Sequence, residues 1–203
     1  MVYFDFDGTL ADVWLRFYRI FTDASGIDGI AFEDYVRTKK QYPRDGELAT
    51  QFGAVLPEDY WSKKRLMLED PAYLALDRLL VPAEEICDFF HKFDCRILTN
   101  RRNPHAFRAQ LTELGLETLI DKSIVLNPDE KVTKAQYLQQ AHPDEQVVLV
   151  GDAEAESQAA QNGSVKVFLV RTGLRAPEEM PFADQCKMID HVSDFMKAFK
   201  ESL

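Results

Sequence analysis

Along the first third of the chain apolar residues recur at three- and four-residue intervals, the spacing of one helix face, whereas beyond Pro82 they gather into short unbroken runs separated by amphipathic stretches. Val13, Trp14, Phe17, Tyr18, Ile20 and Phe21 predict a helix over residues 12–25, with Gly26 as its stop. A charged helical pattern follows over 32–42 and is broken at 43–46, where Pro43 and Gly46 stand close together. Residues 57–69 predict another helix, with Pro57 in its first turn and Tyr60, Trp61, Leu66 and Met67 as its apolar positions. Pro71 then precedes a short apolar piece over 73–80. No strand is predicted within 14–80, so this region reads as a small helical insertion.

The remainder alternates. Helices are predicted over 82–93, 103–114, 131–141, 153–162 and 192–199, with Gly115 and Gly163 just past two of them. Strands are predicted over 95–99, 123–126, 147–150 and 166–170, and residues 172–181 read as loop. The opening run Val2-Tyr3-Phe4-Asp5-Phe6-Asp7-Gly8 reads as one more buried strand, ended by a turn. Strands of four or five residues alternating with helices predict an α/β fold: a Rossmann-like parallel sheet covered by helices on both faces. Residues 1–13 and 81–203 are expected to form the core, and 14–80 a small helical insertion. Ligands of such sheets bind at the carboxyl ends of the strands.

The chain has 203 residues, 46% of them apolar, enough for one core and a modest insertion. Its net charge of −10 argues against nucleic acid and anionic membranes as partners. A site for phosphate must then be positive locally. Cys87, Cys95 and Cys186 are odd in number and show no metal-type spacing, which fits apolar thiols in a reducing compartment. No apolar run approaches the roughly 20 residues of a membrane span, and a strand starting at Val2 leaves no room for a signal peptide. The expectation is a soluble, cytoplasmic protein.

Polar residues fall where the strands end. Asp5 and Asp7, two apart on an extended chain, project together, and their mutual repulsion invites a hard divalent cation, Mg²⁺ first. Gly8 permits a sharp bend, and Thr9 offers a hydroxyl and an N–H toward the same pocket. Thr99 and Asn100 end another strand, Lys131 and Lys134 open the helix after the next, and Gly151-Asp152 with Glu156 follows a fully apolar one.

The run Asp5-Phe6-Asp7-Gly8-Thr9, followed in order by Thr99, a lysine and Gly151-Asp152, resembles the motifs of haloacid dehalogenase superfamily phosphatases. The resemblance implies an aspartyl-phosphate mechanism, with Asp5 as nucleophile and Asp7 as general acid and base. It places Thr99 on a phosphoryl oxygen with Asn100 beside it. Lys131 is the preferred phosphate-site lysine, six residues before the aromatic of Tyr137-Leu138, with Lys134 as the alternative. Asp5, the backbone carbonyl of Asp7, and Asp152 would hold Mg²⁺. Glu156 stands where the family commonly has Asp, and reaches the metal through water or pairs with the lysine. The implied substrate is a small phosphomonoester. A sugar-phosphate mutase and a non-catalytic module on the same fold are the alternatives, and oligomeric state is open. A phosphonate-cleaving enzyme with a Schiff-base lysine in the cap, the small α-helical domain that the resemblance implies for 14–80, is less consistent with these motifs. Arg101 is a further candidate at the cap–core cleft. Any of the cap cations Arg16, Arg37, Lys39, Lys40, Arg44, Lys63, Lys64 and Arg65 could meet an anionic substrate, but most read as a solvated helix face, and no histidine is assigned a role.

Overall fold

In a computed structural model describing residues 1–202, the run at the start becomes β1 (Val2–Phe4), and the later apolar runs become β4 (Cys95–Asn100), β5 (Ser123–Leu126), β6 (Val147–Gly151) and β7 (Val165–Val170). All pair in parallel in the order β5-β4-β1-β6-β7, and β8 (Lys187–Ile189) adds itself to the edge of β7. The sixth strand is not predicted by the pattern: it is three residues long, and Lys187 faces solvent. β1 lies between β4 and β6, and the chain builds the sheet outward from it first on one side and then on the other. Its carboxyl end is therefore the switch point of the topology, where a crevice opens.

Alternation along β1 divides the core. Val2 and Phe4 belong to one buried cluster and Tyr3 to the other. On the first face Phe4 meets Phe89 and Phe90 of α6 (Ala83–Lys92) and Phe195 of α10 (Val192–Glu201), with ring centroids 5.9, 5.1 and 5.5 Å apart. α7 (Pro104–Glu113) covers the same face through Phe107 and Leu111. On the second face lie α8 (Lys134–Ala141) and α9 (Glu154–Ala159). There Tyr3 packs edge-on to Tyr137, and its hydroxyl lies 2.7 Å from Nε2 of His142.

The inserted segment contains α1 (Trp14–Ser25), α2 (Phe32–Gln41), α3 (Asp45–Gln51), α4 (Tyr60–Met67) and α5 (Pro71–Leu74), with a small core of Phe21, Ala24, Tyr35, Leu48, Ala49 and Tyr60. Four features differ from the sequence pattern. The break at 43–46 is brief, because Asp45 starts α3 at once. α4 begins at Tyr60, and only that aromatic is buried, while Trp61 is 59% and Leu66 78% exposed. The segment is also not free of strands: β2 (Ala11–Asp12) pairs antiparallel with β3 (Arg78–Leu79) where the chain leaves and re-enters the sheet. Two-residue strands are too short to leave a periodic signal. Arg16 and Lys39, expected on a solvated face, are buried. No helix among the described residues is long and apolar enough to cross a membrane.

Phe4→Ala is expected to lower unfolding stability by about 3–5 kcal/mol, and Leu66→Ala to change it by less than about 0.5 kcal/mol. Urea denaturation midpoints check both.

Candidate active site

The carboxyl ends of β1, β4 and β6 converge on a cavity of about 240 Å³ lined by Asp5, Asp7, Thr99, Asn100, Lys134, Asp152 and Glu156. Val13, just before the inserted segment, and Phe17 within it also line the cavity, as do Leu174 and Arg175 of the loop after β7. Asp5 is positioned by the sheet itself, its N–H donating to the carbonyl of Val150 at 2.8 Å.

Of the two candidate lysines the structure brings in Lys134. Thr133 caps α8 with a reciprocal bond to Gln136, so Lys134 becomes the first helical residue and its side chain is only 2% exposed. Its ammonium lies 2.6 Å from Oδ1 of Asp5 and 2.5 Å from Oε1 of Glu156. Lys131 is exposed and sits at φ 59° after a 3₁₀ turn over Pro128–Glu130, outside the cavity, so the helix expected from 131 starts three residues later. Burial alone would lower the Lys134 pKa, but Asp5 and Glu156 outweigh it and hold it above its ordinary value.

Glu156 is fully buried, and its second carboxylate oxygen accepts the N–H of Ala153 at 3.0 Å. Both of its oxygens are thus engaged in holding Lys134 and the start of α9. Gly151 makes room for it: a Cβ there would stand 2.2 Å from Cγ of Glu156. Asp152 is wedged in the same way, with a Cβ on Gly8 or Gly173 falling 2.2 or 2.1 Å from its Oδ2. Gly8 also has φ 73°, a conformation that side chains disfavour.

Burial, with Glu156 and Asp7 nearby, pushes Asp5 up to about 6 despite Lys134. Burial and the charges of Asp5 and Glu156 push Asp152 well above its ordinary value. One oxygen from each of Asp5, Asp152 and Glu156 lies within 4.8 Å of the others. Three buried carboxylates therefore stand around one ammonium, which pairs with only two of them. That surplus of negative charge on hard oxygen donors fits a divalent cation such as Mg²⁺, most directly at Asp5 and Asp152.

Asp7 is held differently. Oδ1 lies 2.8 Å from Nη2 of Arg16 and 2.6 Å from Nη2 of Arg101. Arg101 also donates to Gln110 at 3.2 Å, Gln110 donates to Asp77 at 2.7 Å, and Asp77 faces Nε of Arg16 at 3.1 Å. The five side chains close a ring. Burial would raise Asp7, but Arg101 and Arg16 hold its carboxyl below the usual range. Asp77, buried and close to Asp7, is pushed up to about 7 despite Arg16.

Arg101 thus serves Asp7 and does not line the cavity. Gly8 and Thr9 also depart from expectation. The N–H of Gly8 donates to Ala11 and that of Thr9 to Phe6 inside the turn, and the Thr9 hydroxyl is buried without a partner among the described residues. Sequence reasoning passed over Asp77, Gln110 and Arg175, and grouped Arg16 with cap cations read mostly as solvated. Arg16 had a signal, because it stands three residues after Val13 and four before Ile20, on the apolar stripe of its helix.

The family described as haloacid dehalogenase-like hydrolase matches residues 2–170. A predicted phosphatase from Clostridium acetobutylicum superposes with a TM-score of 0.66 at 14% identity, over 98% of this chain and 97% of that one. A haloacid dehalogenase-like family hydrolase from Streptococcus pneumoniae gives 0.67 at 16%, over 98% and 97%. Protein Tyrosine Kinase A of Mycobacterium tuberculosis gives 0.67 at 17%, over 97% and 96%. At these identities the likeness is one of fold, and the three proteins are described by different activities. No curated protein matches.

Lys134→Met leaves Asp5 and Glu156 buried and unpaired, and is expected to cost about 3–5 kcal/mol, whereas Lys131→Met changes stability by less than about 0.5 kcal/mol in the same urea titration. A carboxyl whose pKa is raised by folding keeps its proton longer in the folded chain, so ionising it disfavours the fold. Without divalent cation, stability should fall as pH rises from the ordinary 3.8 of Asp5 through about 6. At pH 7, Mg²⁺ should raise Tm by several degrees and EDTA should reverse the gain; a Tm indifferent to both counts against a metal at this cluster.

Proposed function

The chain belongs to the haloacid dehalogenase-like hydrolase family, and on that premise we propose that it is a Mg²⁺-dependent phosphatase of small phosphomonoesters. The observation that carries this reading is Asp5 at the switch point of the sheet, paired with Lys134 and adjoined by Asp152 at the base of one cavity. A carboxylate nucleophile, a fixed cation and a hard-metal ligand set are what phosphoryl transfer requires together.

In the proposed reaction a carboxylate oxygen of Asp5 attacks phosphorus, and the bond from phosphorus to the leaving alcohol breaks, giving an aspartyl-phosphate. Asp7 supplies the proton to the departing oxygen. In the second half it takes a proton from water, which attacks the same phosphorus and releases phosphate and free Asp5. The pairs to Arg101 and Arg16 favour the ionised form needed for that half and oppose the protonated form needed for the first. Lys134 stays charged throughout and neutralises the transferring oxygens, with Glu156 fixing its position. Thr99 and Asn100, which line the cavity, offer hydrogen bonds to the phosphoryl group. Mg²⁺, held by Asp5, Asp152 and the carbonyl of Asp7, would offset the charge of the phosphate against the carboxylates. The segment 14–80 acts as the cap, with Phe17 excluding water from the cavity.

Phosphate release from 4-nitrophenyl phosphate in Mg²⁺ is expected to fall by on the order of 10³ or more in Asp5→Asn and to stop in EDTA. Full activity in that variant would overturn the assignment. Asp7→Asn should slow alkyl phosphates by roughly 10²–10⁴ and aryl phosphates much less, since a nitrophenolate leaves without a proton. Equal losses on both would remove Asp7 from the role of acid.

A further inference from the structure

Where the inserted helices face the core, a second cavity of about 380 Å³ adjoins the first, and the two share Phe17, Leu174 and Arg175 in their walls. Its other walls include Lys39, Arg44, Asp45, Trp61 and Lys64. Lys39, only 5% exposed, donates to the carbonyl of Pro43 at 2.5 Å and to Oδ1 of Asp45 at 2.6 Å. Lys64 pairs with the other oxygen of the same carboxylate, which also accepts the Tyr60 hydroxyl at 2.6 Å. Two ammonium groups thus share one buried carboxylate whose oxygens are already filled.

Arg44 pairs with Glu47 and Arg175 with Glu154, but both of those carboxylates are about half exposed and are screened by water. The wall is left with a surplus of positive charge, in a chain of net charge −10. Burial presses the Lys39 pKa down, Asp45 holds it up, and Lys64 and Arg175 are close enough to repel it. A buried cation surplus is unfavourable until an anion shares it. Lys64 also lies over the rings of Phe17 and Trp61, at 5.8 and 5.6 Å, which fixes it at the junction of the two cavities.

Resting on the phosphomonoester hydrolysis proposed above, we propose that the substrate's leaving alcohol ends in a second anionic group, a carboxylate or a second phosphate, received by Lys39, Lys64 and Arg175 in the adjoining cavity. The phosphoryl end sits on Asp5 and Lys134. The anionic end reaches past Phe17, so the shape of the junction selects the length of the linker.

The test compares kcat/KM for the monophosphates of short ω-hydroxy acids, the bisphosphates of α,ω-diols and the monophosphates of n-alkanols, matched in length, with calorimetric binding of the corresponding non-hydrolysable phosphonates. At the best length the charged esters should exceed the alkyl ester roughly tenfold or more. Lys64→Met should bring that ratio toward one, and Lys64→Arg should keep most of it. A preference for one charged end alone identifies the anion. Equal kcat/KM for charged and uncharged esters in the wild type overturns the proposal and leaves the phosphatase reading standing. Turnover of no ester, with tighter binding of the ω-carboxy phosphonate, overturns the phosphatase reading and keeps the anion site. Turnover of none with equal binding overturns both. If thermal unfolding shows Lys64→Met to be misfolded, the wild-type comparison decides alone.

Discussion

An ammonium buried between carboxylates is unfavourable to assemble, because each ion removed from water loses several kcal/mol of hydration and regains it only where donors and acceptors match closely. Lys134 meets that condition through structure supplied from three sides. β1 delivers Asp5, the capping box of α8 sets the lysine at the helix start, and the absence of a side chain at Gly151 lets Glu156 fold back to it. Glu156 in turn ties the lysine to the first turn of α9 through Ala153. Loss of any one support would leave a charge without its partner, so the cluster disciplines the local geometry of three separate strand-to-helix connections.

A second charged assembly links the inserted segment to the sheet. Arg16 comes from α1 and Asp77 from the point where the segment ends, whereas Asp7, Arg101 and Gln110 belong to the core. Asp7 therefore senses the inserted helices directly. A displacement of α1 changes the number of cations on its carboxyl, and through them its readiness to hold or release a proton.

Much of this was legible in the sequence, and the reasons for the gaps are physical. Unbroken apolar strands announce themselves, as 147–151 does with four of its five residues buried, because a central strand has both faces covered. Asp5, Asp7, Thr99, Asn100 and Asp152 stand at or just past strand ends, which are definite locations, whereas Glu156 lies in the first turn of the next helix. The lysine was harder: Lys131 and Lys134 differ only in which one begins the helix, and that turned on Thr133 with Gln136 and on a left-handed residue at 131. Arg16, Lys39 and Asp77 were hidden because composition treats a charge as a surface residue, and only the fold reveals the partner that permits its burial. Trp61 and Leu66 err in the opposite direction, as apolar residues that stay largely exposed.

The ribbon of β2 and β3 brings the two crossings of the chain side by side, Ala11 against Leu79 and Asp12 against Arg78. To the sheet, everything between them is a closed detour whose endpoints stay fixed whatever its length. The barrel of chemistry at the strand ends and the chamber above it can therefore diversify at different tempos. Residues may be gained, lost or exchanged in the detour without shifting the register of a single strand below.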